Sequence, residues 1–118
     1  MSLLSGARVV VTGGAGNVGS HIVDAVIAAG AREVIALDAL VRGVPENLDT
    51  ALATGKARLV ELDIRDREAV ETALRGADVV FHQAALRWTK CQESPRECQE
   101  VMVEGTFNVL EAAANAKV

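Results

Sequence analysis

The sequence TGGAGNVG at residues 12–19 decides the fold and carries the first functional signal. Gly14, Gly16 and Gly19 match the spacing G-x-G-x-x-G, and Gly13, Gly16 and Gly19 match G-x-x-G-x-x-G. A glycine has no Cβ, so the chain can turn sharply there and its backbone can approach a ligand closely. Because either spacing alone would also fit a tight structural turn, the flanking residues decide between the two interpretations.

The flanking residues place this loop between a strand and a helix. A short β-branched run, RVVVT, precedes it, and apolar residues at spacings of three and four follow it as far as Gly30. A helix that begins near Asn17 and Val18 would present free N–H groups and the positive end of its dipole to the loop. This context predicts that the segment binds the pyrophosphate of a dinucleotide.

Strand-like and helix-like segments alternate along the rest of the chain. Short apolar runs predict strands at residues 8–12, 33–38, 58–63 and 78–82. Amphipathic segments predict helices after the glycine loop, at residues 45–53, after Asp66 and after Ser94. The predicted fold class is α/β, a Rossmann-type doubly wound parallel sheet, of which the chain holds the first four strands and their helices only. The usual order places the first and fourth strands side by side and the third outermost.

Three local predictions concern the helices. The spacing predicts a buried side of the first helix formed by Val18, Ile22, Ala25, Val26 and Ala29. Asp66 is predicted to cap the helix that follows it, because its carboxylate can accept a hydrogen bond from a free N–H group. Ser94 and Glu97 are predicted to form an S-x-x-E capping box at the start of the last helix.

Asp38 ends the second predicted strand, 19 residues beyond Gly19. A carboxylate there can accept hydrogen bonds from the adenosine ribose hydroxyls and would repel the extra phosphate of NADP. The sequence therefore predicts NAD as the cofactor, with Ala39 and Leu40 in the same binding turn. Arg42 leaves NADP open as an alternative, because a nearby arginine can receive that phosphate.

The third and fourth predicted strands contribute residues to the same edge of the sheet, where carboxyl ends of strands face the ligand. Asp63 could accept a hydrogen bond from the adenine amino group, with Ile64 covering the ring; a helix-capping or turn aspartate is the alternative. His82 is interpreted as a packed strand-end residue rather than a catalyst. The residues over which the backbone is predicted to pass close to the cofactor are Gln83, Ala84 and Ala85.

Composition and charge argue against several functional classes. The formal net charge is −4 and no basic stripe is present, so nucleic acid is not an expected partner. No apolar run approaches the roughly 18 residues of a membrane span and the first residues do not resemble a signal peptide, so we expect no membrane partner and a cytoplasmic location. The spacing of Cys91 and Cys98 fits neither a CxxC motif nor a zinc knuckle, which predicts two structural thiols and no metal site.

Five segments in order carry a family resemblance: TGGAGNVGSHIVDAVIAAG from residue 12, DALVRGVPENL from residue 38, LDIRD from residue 62, FHQAA from residue 81 and VEGTFNVLEAA from residue 103. Together they resemble the extended short-chain dehydrogenase/reductase family, in its nucleotide-sugar epimerase and dehydratase branch. The resemblance implies an NAD-binding Rossmann domain over residues 1–118. It also implies that the complete enzyme oxidises a hydroxyl of a nucleotide sugar transiently.

The sequence departs from the family at one position and lacks the family's catalytic motif. Met102 stands where the family often has Asn, and a thioether cannot supply the donor and acceptor of an amide. The chain contains no tyrosine, whereas the family's base is the tyrosine of a Y-x-x-x-K motif. We therefore expect an N-terminal fragment, incomplete at its C-terminal end and inactive alone, from a protein that is a homodimer at full length.

The function expected from these residues is the NAD-binding part of a nucleotide-sugar epimerase or dehydratase. An NADP-linked reductase of the same fold and a non-catalytic NAD-sensing module remain as alternatives, because a fold does not by itself define a function.

Overall fold

A computed structural model describes residues 2–118 and contains one parallel sheet of four strands. The strands are β1 (Arg8–Thr12), β2 (Glu33–Asp38), β3 (Ala57–Glu61) and β4 (Val79–His82). Their order is β3-β2-β1-β4, and every neighbouring pair is parallel. The predicted class, strand order and placement of β1 beside β4 are therefore confirmed.

Helical segments connect the strands and follow the last one. They are α1 (Asn17–Ala28), a 3₁₀ turn (Pro45–Leu48) with α2 (Asp49–Ala53), α3 (Arg67–Leu74), α4 (Trp88–Glu93), α5 (Pro95–Gln99), a π-helical segment (Glu100–Gly105) and α6 (Thr106–Asn115). The sequence pattern does not predict α4. Among the described residues, no helix has the length and apolar character needed to cross a bilayer.

The central strand β1 is buried on both faces and divides the core into two clusters. Val9 and Val11 pack in the cluster that includes Val23 and Val26 of α1. Val10 packs in the other cluster, which includes residues of α3 and α6. Alternate residues of a strand point to opposite faces, so a continuous valine run suits a strand that is covered on both sides.

The buried side of α1 differs from the predicted one. The buried residues of this helix are Gly19, Ser20, Val23 and Val26, whereas Val18 is 63% exposed. The reason lies in the glycine loop. A Cβ on Gly19 would overlap the carbonyl oxygen of Gly13, so the helix turns its glycine inward and Val18 outward.

The two capping predictions have opposite outcomes. The Asp66 carboxylate accepts a hydrogen bond from the Ala69 N–H at 3.1 Å, as expected. Ser94 stands at the N-cap of α5 but its side chain makes no capping hydrogen bond, so the predicted capping box is wrong. Glu97 lies 3.4 Å from the Lys90 ammonium instead, across the corner between α4 and α5.

The prediction of two free thiols is also wrong, because Cys91 and Cys98 form a disulfide. In an unbroken helix, residues seven apart would lie roughly 10 Å from each other along the axis. Here the backbone leaves the helical conformation at Ser94, and the two Cα atoms are 4.9 Å apart. The spacing of the two cysteines does not by itself indicate this corner.

Candidate functional site

A cleft of about 320 Å³ lies at the carboxyl edge of the sheet. It is beside β1, from which the sheet extends to β2 on one side and to β4 on the other. The glycine loop and the residues after β2, β3 and β4 form its floor and one side, and α4 and α5 contribute the other side. Such a crevice outside the strand ends is the usual ligand site of an open parallel α/β sheet.

Two glycines of the loop allow backbone segments to pack closely together. Gly13 has a φ of +67°, and a Cβ there would come within 2.9 Å of the Ala84 backbone nitrogen. Gly19 faces the Gly13 carbonyl oxygen, with no room for a Cβ. The loop is therefore held between α1 and the segment after β4, and these glycines are needed for the fold itself.

Gly16 also lines the cleft, but its role differs because the space around its Cβ position is largely open. A Cβ on Gly16 would approach only the Gly13 carbonyl oxygen, at 3.2 Å, so its outer side faces open space. Gly16 is also the N-cap of α1, and the first N–H groups of a helix have no partner within it. The loop thus presents an uncovered backbone and a helix N-terminus to the cleft, which suits an anionic pyrophosphate.

Asp38 connects the end of β2 to the glycine loop. Its carboxylate accepts hydrogen bonds from the Ala15 N–H at 2.9 Å and the Leu40 N–H at 2.8 Å. A carboxylate has about four acceptor sites, so capacity remains for ribose hydroxyls. Leu40 has a φ of +60°, an uncommon conformation for a residue with a side chain, and the turn aims its N–H at Asp38.

Asp63 lies at the end of β3 in close contact with a residue that the sequence analysis missed. The Arg65 guanidinium donates to both Asp63 oxygens, at 2.7 to 3.1 Å, and also lies 3.7 Å from Glu100. Hydrogen bonding from Arg65 lowers the pKa of the Asp63 carboxyl. Both residues line the cleft, so Arg65 places a cation at the end where adenine was expected.

His82 belongs to a half-buried network beneath the cleft rather than to its lining. The Thr12 hydroxyl oxygen accepts from the N–H groups of Gln83 at 3.0 Å and Ala84 at 3.1 Å, so its own proton is available for His82 Nδ1, 2.6 Å away. His82 Nε2 then donates to the Thr106 hydroxyl oxygen at 3.1 Å. Burial lowers the pKa of His82, which favours the neutral ring that this pattern requires.

The structure brings most of the predicted site residues together. Those that line the cleft are Gly13, Gly16, Asp38, Ala39, Arg42, Asp63, Ile64, Gln83, Ala84 and Ala85. Those outside the lining are Asn17, Val18, Gly19 and Leu40. The rotation of α1 explains the position of Val18. Gly19 and Leu40 shape the two turns beside the cleft.

The predicted site residues do not include the wall formed by the segment after Ala85. Further lining residues there are Leu86, Arg87, Thr89, Lys90, Glu93, Glu97 and Val101. Lys90 lines the cleft and pairs with Glu97 rather than extending freely into solvent. Met102 is 41% exposed, and its sulfur accepts from the Leu86 N–H at 3.3 Å, so it supports the wall as an acceptor only.

Comparison with known proteins gives a consistent set of relatives. Residues 10–118 match the 3-beta hydroxysteroid dehydrogenase/isomerase family. A UDP-N-acetyl-alpha-D-glucosaminuronate decarboxylase from Bacillus cytotoxicus is 32% identical over 111 residues, which are 93% of this chain and 34% of that protein. The chain spans about a third of the length of the curated relatives that it matches over most of its own length.

Solved structures match the fold closely. The dTDP-glucose 4,6-dehydratase of Streptomyces venezuelae, crystallised with NAD, has a TM-score of 0.87 and 37% identity over 94% of this chain and 37% of its own. The UDP-glucose 4-epimerase of Thermus thermophilus, also in complex with NAD, has a TM-score of 0.80 and 41% identity over 94% of this chain and 35% of its own. The expected kinship with NAD-dependent epimerases and dehydratases is therefore confirmed.

Proposed function

Because this chain belongs to the 3-beta hydroxysteroid dehydrogenase/isomerase family, we propose that it is the NAD-binding part of an enzyme that acts on a nucleotide sugar, as an epimerase or dehydratase. The observation that carries the proposal is the meeting of Gly16, Asp38 and Asp63 around one cleft at the carboxyl edge of the sheet. The similarity to sugar-nucleotide enzymes supports the substrate class.

The residues present fit the cofactor in charge and shape. Gly16 and the start of α1 would hold the pyrophosphate, and the free acceptor capacity of Asp38 would hold the adenosine ribose. Ile64 and Arg65 would border the adenine. When bound, NAD supplies a hydride acceptor; the residues of this chain bind and orient it, which is the protein's usual part in such chemistry.

Catalysis is proposed to depend on groups outside residues 1–118. The chain contains no tyrosine, and His82 is engaged with Thr12 and Thr106 below the cleft. We therefore expect the 118-residue chain to bind NAD without turnover of a nucleotide sugar.

An NADP-linked reductase is the second candidate, because Arg42 lines the cleft near Asp38. The carboxylate of Asp38 argues against this candidate, because it would repel the extra phosphate of NADP. The relative affinity for the two cofactors distinguishes the candidates.

Calorimetric titration of the chain with NAD and with NADP tests the proposed cofactor binding. An activity assay with UDP-glucose, dTDP-glucose and a 3-hydroxysteroid tests whether the chain alone turns over a substrate. We expect NAD to bind more tightly than NADP, and no turnover. Tighter NADP binding would favour the reductase, absence of binding to either would contradict the proposal, and turnover by the chain alone would contradict the statement that catalysis needs other residues.

A further inference from the structure

The wall of the cleft formed by α4 and α5 has almost no hydrophobic anchorage. Neither helix contains a buried side chain, although Lys90, Glu93 and Glu97 from these helices line the cleft. α5 continues without a break into the π-helical segment and α6, whose Val101, Val109 and Ala112 lie in the core, so α5 is anchored from its C-terminal side. α4 is a separate helix of six residues, which is too short to be stable without tertiary contacts. The position of α4 at the cleft must therefore depend on a small number of specific links to α5.

Besides the backbone hydrogen bonds at Ser94, two side-chain links among the described residues join α4 to α5 across this corner. One is the Cys91–Cys98 disulfide, and the other is the ion pair of Lys90 and Glu97 at 3.4 Å. Partly exposed ion pairs contribute little, because solvent screens them and two long side chains must be ordered. The covalent bond is therefore the main constraint, and it also keeps Lys90 beside Glu97, since each charged residue is adjacent to one cysteine.

We propose that Cys91 and Cys98 form a reversible thiol–disulfide site that sets the shape of the cleft wall and thereby the affinity for the dinucleotide. The effect on affinity rests on the proposed function of the cleft; the thiol–disulfide change itself does not. Both cysteines are only partly buried, so a low-molecular-weight thiol or disulfide can reach them.

The chemistry is ordinary thiol–disulfide exchange with a low-molecular-weight disulfide as the oxidant. One cysteine thiolate attacks a sulfur of that disulfide, forms a mixed disulfide and releases one small thiol. The second cysteine thiolate then attacks the cysteine sulfur of the mixed disulfide and releases the other small thiol. The protein loses two protons and two electrons, and the small disulfide is reduced to two thiols.

The oxidised form should bind the dinucleotide more tightly. With the disulfide closed, α4 and α5 are held at the edge of the cleft and little ordering is required when a ligand binds. With the disulfide open, α4 can move away from α5, and binding must order the wall again, which lowers affinity.

The test compares four samples of the chain: wild type and the C91S/C98S variant, each treated with oxidised or with reduced glutathione. The chain has two cysteines, so no other thiol can respond. Mass spectrometry after alkylation measures the thiol state, hydrogen exchange measures opening of residues 88–99, and calorimetry measures NAD affinity. Reduced wild type serves in place of the variant if the variant fails to fold.

We expect oxidised wild type to exchange more slowly at residues 88–99 and to bind NAD roughly 5- to 10-fold more tightly than reduced wild type, while the variant resembles the reduced form in both buffers. Two free thiols after oxidation, or equal exchange in both states, would overturn the proposal. Equal NAD affinity would overturn its functional part. If neither state binds NAD but exchange differs, the cofactor proposal fails and the thiol–disulfide switch of the wall stands.

Discussion

The two sides of the cleft are built in different ways. The glycine-loop side is held by backbone contacts: the N–H groups of Gly13 and Gly14 both donate to the Leu37 carbonyl, and Gly13 meets Gly19 and Ala84 without space for a side chain. On the other side, neither α4 nor α5 contains a buried side chain, and α4 is joined to α5 by one disulfide and one ion pair. A ligand in the cleft would thus meet one rigid surface and one adjustable surface.

This difference suggests a division of roles. The rigid side can recognise the part of a cofactor that is common to many enzymes, since its groups are held in place before binding. The adjustable side presents the charged residues Lys90, Glu93 and Glu97 and can adapt its shape to the rest of a ligand. Substitutions on the two sides should therefore change different quantities.

The largest effect on the fold is expected from Gly19→Ala. The added methyl group would overlap the Gly13 carbonyl oxygen, so the loop and α1 would have to move apart. We expect the free energy of unfolding to fall by roughly 3 kcal/mol, the upper part of the usual range for overpacking. Urea denaturation measures this change, and Gly16→Ala is the control, for which we expect a much smaller loss of unfolding free energy. Equal losses in the two variants would contradict the argument from packing at Gly19.

Gly16→Val should separate binding from stability. The residue has φ −78° and ψ 175°, extended backbone that a β-branched residue adopts readily, so the fold should persist. Its side chain would occupy the space proposed for the pyrophosphate. We expect NAD affinity to fall roughly 100-fold, or about 2.7 kcal/mol, in calorimetry on the folded variant. If the folded variant bound NAD as tightly as the wild type does, the pyrophosphate would have to bind at another place.

Asp38→Asn should have an intermediate effect on binding. The amide has one carbonyl acceptor in place of a carboxylate that already receives two backbone N–H groups, so both the turn and the ribose contacts weaken. We expect roughly tenfold weaker NAD binding and a narrower preference over NADP. Asp24→Asn, on the exposed side of α1, is the matched control. An unchanged affinity and preference would remove Asp38 from the site.

A fall in pH should destabilise the hydrogen-bond network of Thr12, His82 and Thr106. Burial places the pKa of folded His82 below its ordinary value of 6.5, so the unfolded chain takes up a proton first as the pH falls. The free energy of unfolding should therefore decline as the pH falls below about 6.5, until the folded ring is also protonated. Above about pH 6.5 both states hold a neutral ring, and His82 causes no pH dependence. Urea midpoints from pH 8 to 5 measure it. His82→Gln should flatten this part of the profile; a slope that survives in His82→Gln would assign it to another group.

The smallest effect is expected from Lys90→Gln on the adjustable side. The variant removes the partner of Glu97 but leaves the disulfide and the sheet intact. We expect a loss of about 0.5 kcal/mol or less in the free energy of unfolding, because exposed pairs contribute little. A loss comparable to that of Gly19→Ala would show that the ion pair, and not the disulfide, holds the wall.

The features that the sequence predicted correctly depend on short-range pattern. The valine run before the glycine loop, the alternation of strands with helices and the cap at Asp66 each follow from neighbouring residues. The sheet order is predicted from the usual arrangement of a doubly wound fold, which this alternation indicates. The carboxyl ends of parallel strands then meet at one edge, which is why sequence alone suffices to group Gly16, Asp38 and Asp63.

The features that it missed depend on how neighbouring segments pack against each other in the folded chain, which a residue pattern does not reveal. The rotation of α1 follows from the Gly19 contact with Gly13, which outweighs the apolar periodicity that predicted an inward Val18. The pairing of Cys91 with Cys98 follows from the helix break at Ser94, where a capping box was predicted. An S-x-x-E pattern is a local preference, and here Glu97 pairs with Lys90 instead of closing the box.

The most direct test of the account is an NMR titration of the ¹⁵N-labelled chain with NAD, which reports both binding and its location. We expect saturable shifts of the amide signals of Gly13, Gly16, Asp38 and Asp63, with smaller changes at residues 88–99. Signals of residues far from the cleft, such as Arg75, should remain in place. Saturable shifts confined to other residues, or no shifts at millimolar NAD, would contradict the claim that this cleft holds the dinucleotide.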